Sequence, residues 1–441
     1  MRQRDLRFTY NSFFTLVNFM TQFVIAGAGI AGLASAIWLT RQGHQVSVYE
    51  QVPDPTPVGA GLLLQPSGQA MLHKMGLLEA IREKAAVVHS LEGYTGNWKT
   101  LDLHYQFGQA DWHGLGIHRA NLHQILWQCA QSLGVAIHLG NGIKEFSQTS
   151  HGVKIEHQQG TVQADGLIIA NGTRSSLRDQ LDISQTHKPY PWGAYWAVLD
   201  SADWPFPHTL MQRYRGANHM LGVLPTGINP ASGKICYSLF WSLPKTSFAD
   251  FREAGMPQLI ASIRAIWPEV AEWLALAPET AIAIAEYADI RLSRYHQQNV
   301  VVLGDAAHAM SPQLGQGANM ALIDAMVLAD CVAQGVAQCV ALGEQEKTER
   351  YNHNTQCAPD KSSLASAFAS YSQRRRKHIA YYQMASRIMT PLYQSHYPLG
   401  WLRDMGTVAG RHLPMMYRQF LLTLCGAKQG IFDTKAAIAD L

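Results

Sequence analysis

The chain has no unbroken apolar run of the roughly 20 residues that a membrane-spanning helix needs,. Charge is sparse. Only 15% of the 441 residues are Asp, Glu, Lys or Arg, and 35 bases against 32 acids leave a net charge of +3. The basic residues are scattered, so nucleic acid is not an expected partner. Six cysteines (Cys129, Cys236, Cys331, Cys339, Cys357 and Cys425) include no C-x-x-C pair and no finger-like spacing with His. They read as reduced, buried thiols of a cytoplasmic protein, with no metal site implied. A hydrophobic content of 47% excludes a disordered chain and allows two or three packed units,. Arg2, Arg4 and Arg7 ahead of Phe13–Val17 superficially resemble a secretion signal. Asn11, Asn18 and Thr21 interrupt that run, and no small-residue cleavage site follows,. We therefore expect residues 1–20 to be an extension ahead of the fold, with Met20 as an alternative start.

Glycine is plentiful where backbone geometry matters. Phe23-Val24-Ile25-Ala26 leads into Gly27, Gly29 and Gly32 in G-x-G-x-x-G spacing, with Ile30 and Ala31 between the last two; an alanine-rich helix and Val46-Ser47-Val48-Tyr49-Glu50 follow. This is strand, turn, helix and strand. Gly27 permits the tight turn, Gly29 allows the backbone to approach a pyrophosphate, and Gly32 lets the helix lie on the sheet. The helix N-terminus offers N–H groups to phosphates. Glu50, ending the second strand, can accept both hydroxyl hydrogens of an adenosine ribose. The structural alternative is an ordinary strand-to-helix turn with a surface glutamate.

A second glycine-bearing segment lies far downstream. Asn299-Val300-Val301-Val302-Leu303 reads as a strand buried on both faces,. Gly304-Asp305-Ala306-Ala307-His308, Pro312, Gly315-Gln316-Gly317-Ala318-Asn319 and a helical stretch containing Asp324 follow. Asp305 could hold a sugar or ribityl hydroxyl, and the turn from Gly315 to Ala318 would aim a helix N-terminus, with its partial positive charge, into the same pocket. Such a charge suits the anionic pyrimidine edge of a reduced flavin. The two segments together point to one bound FAD; a plain glycine loop between core elements is the competing reading of the second.

These residues carry a family resemblance. Gly304-Asp305-Ala306-Ala307-His308, Met310-Ser311-Pro312 and Gly315-Gln316-Gly317-Ala318-Asn319-Met320-Ala321-Leu322 resemble the flavin-contacting signature of the class A, p-hydroxybenzoate hydroxylase-like flavoprotein monooxygenases. Ala164-Asp165-Gly166-Leu167-Ile168-Ile169-Ala170-Asn171-Gly172 with Arg174 and Arg178 resembles the family's middle motif, with Asn171 where an Asp is usual. Arg119 matches a family arginine that lies against FAD. The resemblance implies that NADH or NADPH visits transiently and reduces FAD, and that O2 then forms a flavin C4a-hydroperoxide. One oxygen of it passes to a small aromatic or apolar substrate. A single complete G-x-G-x-x-G fits a nicotinamide that has no domain of its own. Backbone N–H groups of Gly317, Ala318 and Asn319 would face the pyrimidine edge, and Pro312 would wall the ring. His308 reads as structural, and no catalytic acid or base is assigned. Two alternatives stay open: a reductase or oxidase of the same fold that inserts no oxygen, and a non-enzymatic FAD-binding redox protein. No W-x-W-x-I-P stretch of a tryptophan halogenase is present.

The expected fold class is α/β: a Rossmann-type FAD-binding domain with an inserted antiparallel β-sheet substrate layer and C-terminal helices. Residues 21–185 would form the first part of the FAD domain, with helices over Leu62–Arg82 and Arg119–Leu133. Residues 186–287 would form the substrate layer, 288–342 the second part, and 343–441 a polar loop (Gly343–Ser363) and helices. Trp196, Tyr214, Tyr237 and Trp241 on the inserted strands read as core more readily than as ligand contacts. The run Arg374-Arg375-Arg376-Lys377-His378 reads as a solvated helix face, against a phosphate or membrane contact. The tail from Trp401 to Phe432 could cover the pocket, mediate a dimer or touch lipid; monomer and homodimer are both compatible with the sequence, which by itself indicates no membrane contact.

Overall fold

The computed structural model describes residues 20–55, 61–150, 152–201, 203–276, 282–349, 361–430 and 433. The extension expected over residues 1–20 lies outside them apart from Met20.

The apolar strand Gln22–Ala26 sits near the middle of a six-stranded sheet, between Gln45–Tyr49 and Gly166–Ile169, with Ala136–His138 at one end and Val300–Val302 then His296–Gln297 at the other. All neighbours run parallel except the short edge strand His296–Gln297. Parallel strands covered on both faces need apolar residues at every position, and Phe23, Val24, Ile25, Leu167, Ile168 and Val300–Val302 are fully buried. Register places Ile25 between Ile168 and Val48. The middle and late motifs therefore end on the same sheet edge as the glycine turn, although they are distant in sequence.

A second, seven-stranded sheet contains Gln185–Asp200, Thr209–Arg215, His219–Ile228, Ile235–Pro244 and Ile282–Leu292, and it also takes in Ser90–Thr95 and Trp98–His104. It is antiparallel except where Thr209–Arg215 runs parallel to Ser90–Thr95. The period of two decides its faces. Tyr195, Ala197, Leu221, Val223, Leu239 and Trp241 pack with helices Ser247–Arg264 and Pro268–Ala275. Ala194, Trp196, Met220, Leu224, Phe240 and Ser242 face a large cavity instead. Gly255, at φ 71°, breaks Ser247–Arg264 just before Pro257.

Three expectations need correction. Leu62–Leu64 is strand, part of Gly61–Leu64 paired with Gly114–His118, and the helix begins only at Pro66. The polar segment expected as a loop from Gly343 is helical to Glu349, and helix resumes at Lys361, with 350–360 outside the described residues. The basic run is not a uniformly solvated face: Arg375 and His378 are 1% and 2% exposed. Helix Gly317–Ala337 has the length and apolarity to cross a membrane, but two-thirds of it is buried, which is how a core helix reads. It lies under the motif helix Ile30–Arg41 and alongside Lys361–Tyr393, burying Met320, Leu322, Ile323 and Leu328 fully.

Candidate active site

The first half of the site is built from backbone. Gly27 has φ +100°, donates its N–H to Tyr49 O at 2.8 Å, and leaves no room for a side chain, since a Cβ there would lie 2.7 Å from Ala170 O. At Gly32 a Cβ would come within 2.0 Å of Gly27 O, so its role is close packing; it does not line the cavity. Gly29 differs: an added Cβ would meet no protein atom within 4 Å. The first intrahelical bond is Leu33 N to Gly29 O. The N–H groups of Ile30, Ala31 and Gly32 therefore have no acceptor within the helix. Glu50 accepts from Ala28 N at 2.9 Å and Val52 N at 3.0 Å, so its carboxylate braces the turn while still facing the cavity. His123, which sequence reasoning passed over, bonds Ala28 O at 2.9 Å from the helix Arg119–Ser132.

The second half is built around a buried ion cluster. Gly304 (φ +55°) donates to Asp324 Oδ2 at 2.9 Å; the same carboxylate meets His308 Nε2 at 2.6 Å and Arg375 Nε at 2.6 Å. Asp324 is wholly buried, which by itself would raise its pKa, yet His308 and Arg375 hold it well below the ordinary carboxylate range,. Arg375 also bonds His378 Nδ1 at 2.6 Å, and burial followed by that guanidinium lowers the His378 pKa to about 3. His308 borders the cavity, but its Nε2 is committed to Asp324, in keeping with a structural role. Nothing local in the sequence joins Arg375 to Asp324 across 51 residues.

Beyond Asp305 the chain passes through a 3-10 turn at Pro312–Leu314 and Gly315 in the left-handed region, then enters helix Gly317–Glu349. Its first intrahelical bond is Met320 N to Gln316 O. Gly317, Ala318 and Asn319 therefore keep unclaimed N–H groups at the helix mouth. The Asn319 side chain does not reach the cavity; it takes Gln65 N at 2.9 Å and gives to Gly315 O and Leu63 O, tying the turn to the strand Gly61–Leu64. Arg178, 2% exposed, donates to Thr173 O and Ala306 O and so joins the middle motif to the late turn.

Both halves border one cavity of about 980 Å³. Gly27, Gly29, Ile30, Ala31, Glu50, Arg119, Asp305, Pro312, Gly315, Gly317 and Ala318 all line it, whereas Gly32 and Asn319 stand behind its wall. Asn171 lines it too, and its buried Oδ1 has no hydrogen-bond partner among the described residues. Of the four aromatics singled out, only Trp196 is in the wall, donating Nε1–H to Tyr287 OH at 3.1 Å. Burial raises the Tyr287 pKa to about 12, so its hydroxyl stays protonated. Tyr237 and Trp241 belong to the opposite, helix-packed face, and Tyr214 is core beneath the Arg403 guanidinium.

Two helix mouths facing one cavity, with Glu50 beside the first, Asp305 beside the second and open space over Gly29 and Gly315, fit an FAD with its pyrophosphate at the first mouth and its ring at the second,. That arrangement defines a flavin-dependent oxidoreductase. Residues 20–355 match the family described as FAD binding domain, and the chain belongs to it. It is a class A, p-hydroxybenzoate hydroxylase-like flavoprotein monooxygenase with FAD as cofactor. Among curated relatives, a putative FAD-dependent monooxygenase, YetM, of Bacillus subtilis is 28% identical over 326 residues, covering 70% of this chain and 84% of that protein. The 6-hydroxynicotinate 3-monooxygenase of Pseudomonas fluorescens is 26% identical, covering 74% and 87%. The fold is shared with PqsL of Pseudomonas aeruginosa in complex with 2-aminobenzoylacetate (TM-score 0.72, 21% identity, 88% of this chain and 100% of that one).

Proposed function

We propose that this protein uses NADH or NADPH, FAD and O2 to hydroxylate a small aromatic or apolar substrate held against the cavity face of the seven-stranded sheet. One observation carries the reading: a single cavity joins the two helix mouths to a wall of Trp196, Leu210, Met220, Leu224 and Phe240. FAD, when bound, supplies the electron transfer and oxygen activation that no side chain of the protein can perform.

The chain's own residues bind and shape. The N–H groups of Ile30 and Ala31 would receive the pyrophosphate, Glu50 an adenosine hydroxyl, and Asp305 a ribityl hydroxyl,. Arg119, exposed at the start of its helix and lining the cavity, would lie against the cofactor. Gly317 and Ala318 would present N–H groups where negative charge develops at the pyrimidine edge, with Asn319 behind them holding the turn, and Pro312 would wall the ring,. The aromatic and aliphatic sheet face excludes water, which strengthens each of these interactions. No residue is assigned as acid or base. We divide the chain at 21–185, 186–287, 288–342 and 343–441, with strands Ser90–His104 lent by the first segment to the substrate layer, and we place a monomer or homodimer in the cytoplasm. The free thiols of Cys129, Cys236, Cys331 and Cys425 support that compartment,.

The test is an NAD(P)H-oxidation screen with phenols, quinolones, salicylates and polyprenyl phenols, followed by product analysis under labelled dioxygen. Label in the product is expected. Substrate-dependent turnover with no label would replace the monooxygenase with a reductase or oxidase. Bound FAD with no turnover on any member would replace it with a redox-binding protein.

A further inference from the structure

Helix Gly400–His412 inverts the usual arrangement of an amphipathic surface helix, and helix Pro414–Leu424, which buries Leu421, Leu422 and Leu424, exposes Met415 and Met416 in its first turn. Arg403 and Asp404 are buried, paired at 2.7 Å, while Trp401 (64%), Met405 (56%) and Met415 (71%) stand in solvent with Leu402, Leu413 and Met416. Trp401, Met405 and Ala409 recur at four-residue spacing and so share one stripe,. The second helix packs against the first where Phe420 meets Gly410, at which a Cβ would lie 2.7 Å from its ring, and adds exposed Met415 and Met416 to the apolar surface. Phe107, 64% exposed, extends the patch through an edge contact with Tyr417. Single exposed apolar residues are ordinary, but a contiguous group of this kind marks a contact surface.

Charge identifies what it contacts. From Ser395 to Gly430 the only acid is Asp404, which is buried and neutralised. Exposed Arg418 and half-buried Arg411 therefore rim the patch with no acid of the same segment to oppose them. Aromatic, methionine and leucine side chains bordered by arginine suit the headgroup boundary of an anionic bilayer. Two short helices of 13 and 11 residues can lie in that boundary without spanning it,. The patch is continuous with the site: Thr407, Arg411, Tyr417, Phe420 and Leu424 of the same helices line the cavity.

We propose that these two helices form a docking surface for an anionic lipid bilayer and that an apolar substrate reaches the cavity from it. The delivery step rests on the function proposed above; the docking does not. The test is flotation of the FAD-loaded protein with vesicles of phosphatidylcholine, with and without phosphatidylglycerol, alongside a triple variant, Trp401→Ser, Met405→Ser and Met415→Ser, and the single variant Arg418→Glu. Unchanged flavin absorbance and melting temperature report that the variants fold. The expected result is recovery with the anionic vesicles, weakened by about tenfold or more in the triple variant and more modestly in Arg418→Glu, as loss of buried apolar area and a change of two charges at the rim require. Wild-type protein that stays unbound, or a triple variant that binds equally well, overturns the proposal. So does a wild-type dimer that the triple variant splits, since the patch would then be a seam between copies. A failed substrate screen with intact flotation removes the delivery step and leaves the docking standing.

Discussion

The two mouths of the cavity solve one physical problem with different materials. At Gly27–Glu50 the backbone itself makes the cradle, and each determinant lies within a few residues of the atoms it positions. At Gly304–Asn319 the turn is held from behind by a buried carboxylate, a histidine and an arginine supplied by another helix. The first arrangement is cheap but tolerant of little added volume. The second is costly, since a buried ion cluster must repay the desolvation of each member, and it fails badly when one partner is lost.

The sharpest break of that comparison is Asp324→Asn. It removes the charge that compensates Arg375 at a site with 0% exposure, and loss of one partner of a buried pair costs about 3–5 kcal/mol. Urea unfolding should show a loss of that order together with weakened flavin retention, because Gly304 N is held by the same carboxylate. A variant within about 0.5 kcal/mol of wild type, the range of an ordinary surface change, would mean that the cluster does not anchor the second mouth.

Within the first mouth, two glycines separate packing from binding. Gly32→Ala would force its Cβ into Gly27 O, and overpacking of this kind costs roughly 1–3 kcal/mol with or without cofactor. Gly29→Ala meets no protein atom, and its backbone (φ −76°) accepts any residue. Its stability without flavin should therefore stay within about 0.5 kcal/mol of wild type, while FAD titration shows weakened binding because the methyl group occupies the pyrophosphate's approach. Equal FAD affinity in Gly29→Ala would remove the pyrophosphate from that turn.

Legibility in the sequence follows the same division. The strand Phe23–Ala26, the G-x-G-x-x-G turn and Glu50 announce themselves by spacing, and all but Gly32 of the named first-mouth residues line the cavity. The late turn was readable as a long local pattern, including the free N–H groups at Gly317–Asn319. Hidden from the sequence was everything that depends on tertiary pairing. Arg375 looked like one member of a solvated basic run, and only the fold shows that the helix turns positions 375 and 378 inward while 374, 376 and 377 stay exposed. His123 carried no motif, and the Asn319 side chain proved to be a clamp behind the wall. Ser90–His104 joined the second sheet because a parallel partner cannot be read from the alternation of a single strand,.

The mildest test of the ion cluster uses pH. Burial and Arg375 lower the His378 pKa to about 3 from an ordinary value of 6.5. The unfolded chain therefore takes up a proton near pH 6.5, whereas the folded protein does so only near pH 3. Stability contributed by neutral His378 is fully present above pH 6.5 and falls as pH drops through that window, by roughly 1.4 kcal/mol per unit at most. Asp324 has the same sign but a lower range: its pKa is depressed when folded, so its contribution is intact above the ordinary carboxylate value of 3.8 and is lost only below it,. Between pH 6 and 4.5 the slope of unfolding free energy should therefore be shallower in His378→Asn than in wild type. Identical slopes would mean that the folded protein already binds that proton, and that Arg375 answers to Asp324 alone.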